Sequence, residues 1–314
     1  MLNKLNTKIV TLTDLYKKDG LADFIKNVYT LALSKIEYRA NLAWQNFTIR
    51  KLYKKFGSQI FVKKIQGSMM LLDLKDEGIS RELFFKGVHE YNSTDQIQKE
   101  IKPGMTIIEV GANIGYYSLI EAKIIGKTGI IYAFEPNPIN KKILDINIQL
   151  NNITKNIKTF PFGVGGKNEV KDFFLTSIGN ISSFIERNEV FIKPVDTIKV
   201  KIVRLDDFFD KDIKIDYFRM DVEGFEWEVI KGMHRILSSD NGPKGCFIEV
   251  HSSLLNQSGH SAKAFLNELY TFGYDVKIAR FRGQSKHVVR STNEMLSHEL
   301  LETGYWEAFF EKSR

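Results

Sequence analysis

The run Ile107-Ile108-Glu109-Val110-Gly111-Ala112-Asn113-Ile114-Gly115 decides the fold. Apolar residues as far as Val110, interrupted by one acid, read as a buried strand, and the glycines that follow read as a turn opening a helix. Glycine takes backbone angles that other residues resist, and it lets a ligand approach the main chain and the helix N-terminus. A second apolar run, Ile130 to Phe134, ends in Glu135-Pro136, with Glu135 lying 20 residues beyond Gly115. In doubly wound sheets an acid at that distance, on the tip of the next strand, binds both hydroxyls of a ribose.

Outward from this pair the chain alternates strand and helix. Met105 to Val110, Ile130 to Phe134, Ile157 to Phe162, Ile215 to Met220, Cys246 to Val250 and Tyr305 to Phe310 are expected strands of a parallel sheet covered on both faces. Upstream, all six prolines fall at or after Pro103. Leu21, Phe24, Ile25, Val28, Leu31, Ala32 and Ile36 recur at helical steps, predicting one or two helices over 21–56. Ile60 to Leu74 reads as a hairpin turning at Gly67-Ser68, with helical lead-ins near 80–100. Gly126-Lys127-Thr128 reads as a plain turn, because Glu121 stands where a phosphate loop needs glycine.

With 314 residues, 43% hydrophobic and 26% charged, the chain has ample apolar surface for a core, which excludes a disordered or fibrous protein. The single cysteine, Cys246, has no partner for a disulfide and reads as a core residue of a cytoplasmic protein. No signal peptide is expected, since Asn3, Lys4, Asn6, Lys8 and Asp14 interrupt any early apolar run, and no stretch approaches the roughly 20 apolar residues of a membrane span. The net charge of +7 is unevenly placed. Residues 1–64 hold 13 Lys and Arg against 4 Asp and Glu, leaving 32 against 34 in the remainder. A slightly acidic body argues against a broad phosphate-binding face.

Two features separate the glycine turn from a dinucleotide site. The spacing Gly111-x-x-x-Gly115 lacks the middle glycine that admits a pyrophosphate, and Glu109 at the strand end repels phosphate while suiting an ammonium. S-adenosylmethionine has a ribose, an ammonium and a sulfonium but no phosphate. Both features favour it over a nicotinamide or flavin, or over a purely structural turn.

The runs Glu109 to Ser118, Tyr132 to Pro138, Val203 to Asp207, Met220 to Glu226 and Ile248 to Val250 together resemble the FkbM family of S-adenosylmethionine-dependent methyltransferases. The resemblance implies the class I methyltransferase fold, a Rossmann-like α/β arrangement. Its seven-stranded, mostly parallel sheet has an antiparallel last strand and helices on both faces. It also implies O-methylation of a sugar, glycan or natural-product-like hydroxyl. The family more often has Asp where this chain has Glu109. Here the domain is expected over 65–314, with its cofactor-binding core at about 101–251, after a basic helical extension over 1–64.

On this reading Glu109 and the turn through Gly111, Ala112, Asn113 and Gly115 hold the methionine portion of the cofactor. Glu135 beside Pro136 holds the ribose, Gly163 and Val164 border the adenine, and Asp221 reaches the cofactor as well. Asp221 and Glu223 follow the fourth expected strand, at the carboxyl edge where such sheets bind ligands, and Glu249 and His251 share one face of the fifth. These four are the candidate catalytic residues, positioning an acceptor hydroxyl and taking its proton. Alternatively, Glu223 and Glu226 simply occupy the first turn of a helix, where negative charge is favoured. No compact ligand spacing supports a metal at Asp221, Glu249 and His251, and none is expected. Ser177 to Ser183 reads as a loop across the mouth of the pocket or a solvated turn, and Glu90 or Tyr91 as contacts to the methionine end.

Competing functions are a nucleic-acid methyltransferase using the basic N-terminal part, a cofactor-binding module without turnover, and a dehydrogenase. The apolar stripe of the extension suits docking at the inner face of an anionic membrane, beside lipid-linked glycans, or packing on the domain or on a second subunit.

Overall fold

Neighbouring residues of the central strands are buried on opposite sides of one sheet, so each strand reads as a continuous apolar run. Ile108, Phe218, Met220 and Ile248 belong to one hydrophobic layer, whereas Ile107, Tyr217 and Phe247 belong to the other. This is the period-2 signature of a sheet covered on both faces. The computed structural model describes residues 36, 37, 39–176, 178–187, 194–282 and 288–313. The helices expected over 21–35 lie outside those residues.

The chain divides into two units, Met1–Gln59 and Ile60–Arg314. In the first, residues 39–56 form helix α1. The second opens with a strand at Ile60. Its strands are β1 (Ile60–Ile65), β2 (Ser68–Asp73), β3 (Thr106–Val110), β4 (Ile130–Phe134), β5 (Ile157–Phe160), β6 (Gly163–Val164), β7 (Glu169–Thr176), β8 (Pro194–Val203), β9 (Tyr217–Met220), β10 (Gly245–His251), β11 (Tyr274–Phe281) and β12 (Tyr305–Lys312). Its helices are α2 (Ile79–Lys86), α3 (Tyr91–Glu100), α4 (Tyr116–Ile125), α5 (Pro138–Leu150), α6 (Leu205–Phe208), α7 (Glu226–Lys231), α8 (His234–Ser238), α9 (Ser252–Gln257), α10 (Ala262–Thr271) and α11 (Thr292–Leu296).

The seven-stranded sheet has the order β11-β12-β10-β9-β3-β4-β5. Strands β10, β9, β3, β4 and β5 run parallel, and β12 is antiparallel to both of its neighbours. This is the class I methyltransferase arrangement. One apolar layer draws on Val229, Ile236, Phe265 and Leu269 of α7, α8 and α10. The other draws on Leu83, Ile97, Leu119, Leu144 and Ile148 of α2 to α5, with Ile65 and Leu72 of the β1–β2 hairpin.

That hairpin turns at Gln66-Gly67, one residue before the expected pair. Both residues have positive φ (47° and 78°), as a two-residue turn with the twist of its strands requires. A separate three-stranded sheet, β6-β8-β7, was not expected. Cys246 is fully buried, and burial pushes its thiol up. No helix among the described residues is long and apolar enough to cross a membrane.

Candidate active site

Strands β3, β4 and β9 end at the same edge of the sheet, and the turns that follow them line a cleft of about 540 Å³. Glu135 is its best-held side chain. The Asn137 N–H donates to Oε1 (2.8 Å) and the Asn113 N–H to Oε2 (2.7 Å), so one carboxyl joins the turns after β3 and β4. Asn137 also caps α5, its side chain accepting from the Ile139 and Asn140 N–H groups with Pro138 at the first helical position. Burial pushes the Glu135 carboxyl up to about 7, against the lowering effect of those two N–H groups. Asn113 itself sits at φ 52°.

Of the site residues named from the sequence, Gly111, Asn113, Glu135, Pro136, Gly163, Val164, Asp221 and Glu223 line the cleft. Three expected cofactor contacts do not. Ala112 is buried in the apolar layer to which α2 to α5 contribute. Gly115 caps α4, and a Cβ there would meet the Leu144 side chain at 2.5 Å, so it lets α4 and α5 pack. Glu109 is completely buried beneath the turn, with Ser118 Oγ donating to one oxygen and the Arg219 guanidinium to the other. Its charge is matched by Arg219, which also reaches the Gly111 carbonyl (3.3 Å). Glu121 lies beside the pair, and burial with the Glu109 charge pushes its carboxyl well up. The acid at the strand end thus braces the turn and does not face a ligand. Gly111 is needed for a related reason: at φ 83°, a Cβ would overlap the Asp221 carbonyl oxygen.

Of the four candidate catalytic residues, three come together. Oxygen atoms of Asp221 and Glu223 and a ring nitrogen of His251 all lie within 4.8 Å of one another. Asp221 Oδ1 is buried with no protein partner, and burial with the nearby Glu223 charge pushes this carboxyl up to about 7. His251 places Nδ1 3.0 Å from Glu226 Oε1 and Nε2 3.1 Å from Glu223 Oε2. Burial alone would lower its pKa, but Glu223 and Glu226 outweigh burial and lift it to about 9. The imidazole is therefore charged near neutrality, so in this state it does not take a proton. Arg187 donates to Glu223 Oε2.

Glu223 is not in a helical turn: it precedes α7 with φ 52°, a conformation that costs a non-glycine residue about 1–3 kcal/mol. Glu249 does not line the cleft. Its Oε2 accepts from the Tyr305 hydroxyl, and burial with Asp221 and Glu90 pushes the carboxyl well up. The Tyr305 ring lies 4.6 Å from that of His251 and lines a second cleft of about 570 Å³ with Glu90, Asn92, Arg280, Arg282 and Glu307. Glu90 accepts from the Tyr117 hydroxyl (3.0 Å). Gly179 and Ser182 of the loop after β7 line the first cleft, while Ser177 is outside the described residues.

The first cleft fits S-adenosylmethionine by its chemistry. Its described lining holds three acids and no Lys or Arg, which suits a cationic ligand without phosphate. Phe134, Phe162, Val164 and Phe184 offer an apolar flank, and Gly163 leaves the room that the Phe184 ring fills. Sheet order and cleft together define a class I methyltransferase whose methyl donor is S-adenosylmethionine. The chain belongs to the FkbM methyltransferase family, since residues 109–276, just over half of it, match the methyltransferase FkbM domain.

Among solved structures, methyltransferase FkbM from Methylobacillus flagellatus KT is 14% identical, with 69% of this chain and 50% of that one covered and a TM-score of 0.40. TYW2 from M. jannaschii, in complex with AdoMet, is 14% identical over 81% of this chain and 87% of its own, TM-score 0.40. TrmK from M. capricolum, with S-adenosyl-homocysteine, is 15% identical over 71% and 68%, TM-score 0.40. Likenesses of this size carry nothing about the acceptor. No curated protein matches the chain.

Proposed function

We propose that the protein transfers a methyl group from S-adenosylmethionine to a hydroxyl oxygen of a sugar, glycan or related polyhydroxylated small molecule. The observation that carries this reading is Asp221 Oδ1, a buried oxygen without a protein partner on the wall of the cofactor cleft. A hydroxyl brought there finds an acceptor for its proton. The neighbouring cleft supports the same reading, because Glu90, Asn92, Arg280, Arg282 and Glu307 offer both donors and acceptors to several hydroxyls. An acidic cluster of Asp221 and Glu223 discourages a polyphosphate backbone, so a nucleic-acid acceptor is the weaker reading.

When bound, S-adenosylmethionine supplies an electrophilic methyl on a sulfonium. The chain's own contribution is placement. Glu135 fixes the ribose, the Arg219-braced Gly111 turn shapes the wall beside it, and Asp221 orients the acceptor oxygen. Alignment of this kind accounts for large effective molarities without further chemistry.

Transfer of labelled methyl from S-adenosylmethionine into fractionated cell extract tests the proposal. Label recovered as base-stable methyl ethers of carbohydrate or small-molecule fractions supports it, and label recovered in RNA or protein overturns it. Asp221→Asn should lower that transfer at least about tenfold while S-adenosylhomocysteine still binds.

A further inference from the structure

We propose that Asp221, Glu223 and His251 form a divalent-cation site that holds the acceptor oxygen. The inference takes from the proposed function only that an acceptor oxygen meets Asp221. Two carboxylates and one imidazole present their ligand atoms within 4.8 Å of one another, close enough to surround a single ion. Three further observations point the same way. Asp221 Oδ1 is buried and has no protein partner. Glu226, which is fully buried, holds His251 Nδ1 at 3.0 Å, the outer-shell carboxylate that fixes a metal-bound imidazole with Nε2 directed to the ion. The other oxygen of Glu226, Oε2, is likewise buried and unpartnered.

Sequence spacing hid this set. The three ligands come from the tip of β9, the turn before α7 and the end of β10, so His251 stands 30 residues from Asp221. Glu223, and not Glu249, completes the set. Its left-handed backbone turns the carboxylate toward His251 Nε2, 3.1 Å away.

Two oxygens and one nitrogen suit an ion of the Mn²⁺ or Mg²⁺ type, which keeps open positions for water or substrate oxygens. Arg187 and the His251 ring now both face Glu223, and a cation between the three ligands would take over part of that charge balance. Asp221 and Glu223 line the cleft, so a hydroxyl at an open position on the ion would be polarised there for attack, its proton passing to water as the oxygen takes the methyl group. A pair of adjacent hydroxyls, as on a sugar ring, is the natural occupant of two such positions.

Mn²⁺ alone, titrated into the full-length protein and followed by electron paramagnetic resonance, tests the site without donor or acceptor. One saturable ion per chain is expected, with nitrogen coupling from a directly bound imidazole. His251→Gln should abolish that coupling, and Asp221→Asn and Glu223→Gln should each weaken Mn²⁺ binding at least about tenfold. S-adenosylhomocysteine affinity, measured on the same samples, reports on folding. It also separates the two claims, since a wild-type protein that binds Mn²⁺ but no S-adenosylhomocysteine would overturn the cofactor reading and leave the cation site standing. Absence of saturable binding or of nitrogen coupling in the wild-type protein overturns the site. So does Mn²⁺ affinity unchanged across the three variants. The wild-type spectrum alone decides if a variant fails to fold.

Discussion

Glu135 is held by main-chain donors from two different turns, and on the proposed reading it binds the ribose of the cofactor. With its carboxyl pushed up to about 7, the unliganded protein has a protonated Glu135 below that pH, whereas two ribose hydroxyls require the carboxylate as acceptor. S-adenosylhomocysteine affinity should therefore be flat above pH 7 and fall by about tenfold per unit below it, which calorimetry across pH 5.5 to 8.5 measures. The linkage to stability runs the other way. A raised carboxyl stabilises the free fold below its unfolded value near 4.5, and that contribution is lost as pH rises through about 7. Glu135→Ala should remove both the affinity, by at least about tenfold, and its pH dependence.

Arg219 makes a second case. It is 2% exposed and pairs with Glu109 across the β3–β9 ladder, so Arg219→Met would leave buried Glu109 uncompensated. A loss of about 3–5 kcal/mol in denaturant unfolding is expected. The signal for this pair was present in the sequence. Arginine in the otherwise apolar Tyr217-Phe218-Arg219-Met220 needs a buried partner, and Glu109 was the acid in the adjoining strand. Reading Glu109 as a ligand contact treated it alone, and only the parallel register shows that the two meet.

Among the elements, α5 carries the cofactor side of the cleft through its first turn. Asn137→Ala removes a cap serving two N–H groups and should cost about 0.5–2 kcal/mol of stability, with weaker S-adenosylhomocysteine binding as the first turn frays beside Glu135. Denaturation and calorimetry on the one variant check both outcomes. The buried parallel strands were legible because each is a short apolar run. Strands β7, β8 and β11 were not read, although Ile198, Val200 and Ile202 alternate with Thr197, Lys199 and Lys201 as a half-exposed strand should. In β11 the alternation slips at the irregularity between Val276 and Ile278, which breaks the period that a sequence reading relies on. The site followed the same division: turns next to apolar strands were found, while the His251 cluster depends on three segments that only the folded sheet brings together.

At the scale of the whole molecule, every residue lining either cleft lies beyond Ile60. A chain beginning at Ile60 should therefore keep the S-adenosylhomocysteine affinity of the full protein. Flotation of both forms with anionic and neutral liposomes tests the remaining role of the basic extension. Flotation of the full chain alone, and only with anionic lipid, assigns it to a membrane surface. Aggregation of the shorter form assigns it to packing.

Among the described residues, five other than glycine adopt left-handed backbone: Gln66, Glu90, Asn113, Asn152 and Glu223. Glycine at such a position relieves about 1–2 kcal/mol of steric cost and gives back about half of it in chain entropy. Three of the five line the two clefts, and there the relief would delete a side chain or loosen a wall that the chemistry uses. Gln66 lies in the hairpin turn and Asn152 just beyond α5, so protein engineering for heat tolerance has two harmless positions and three expensive ones. Gln66→Gly should gain about 0.5–1 kcal/mol with turnover intact, whereas the same exchange at Glu223 takes the carboxylate away from Arg187 and His251 and should lower both stability and turnover.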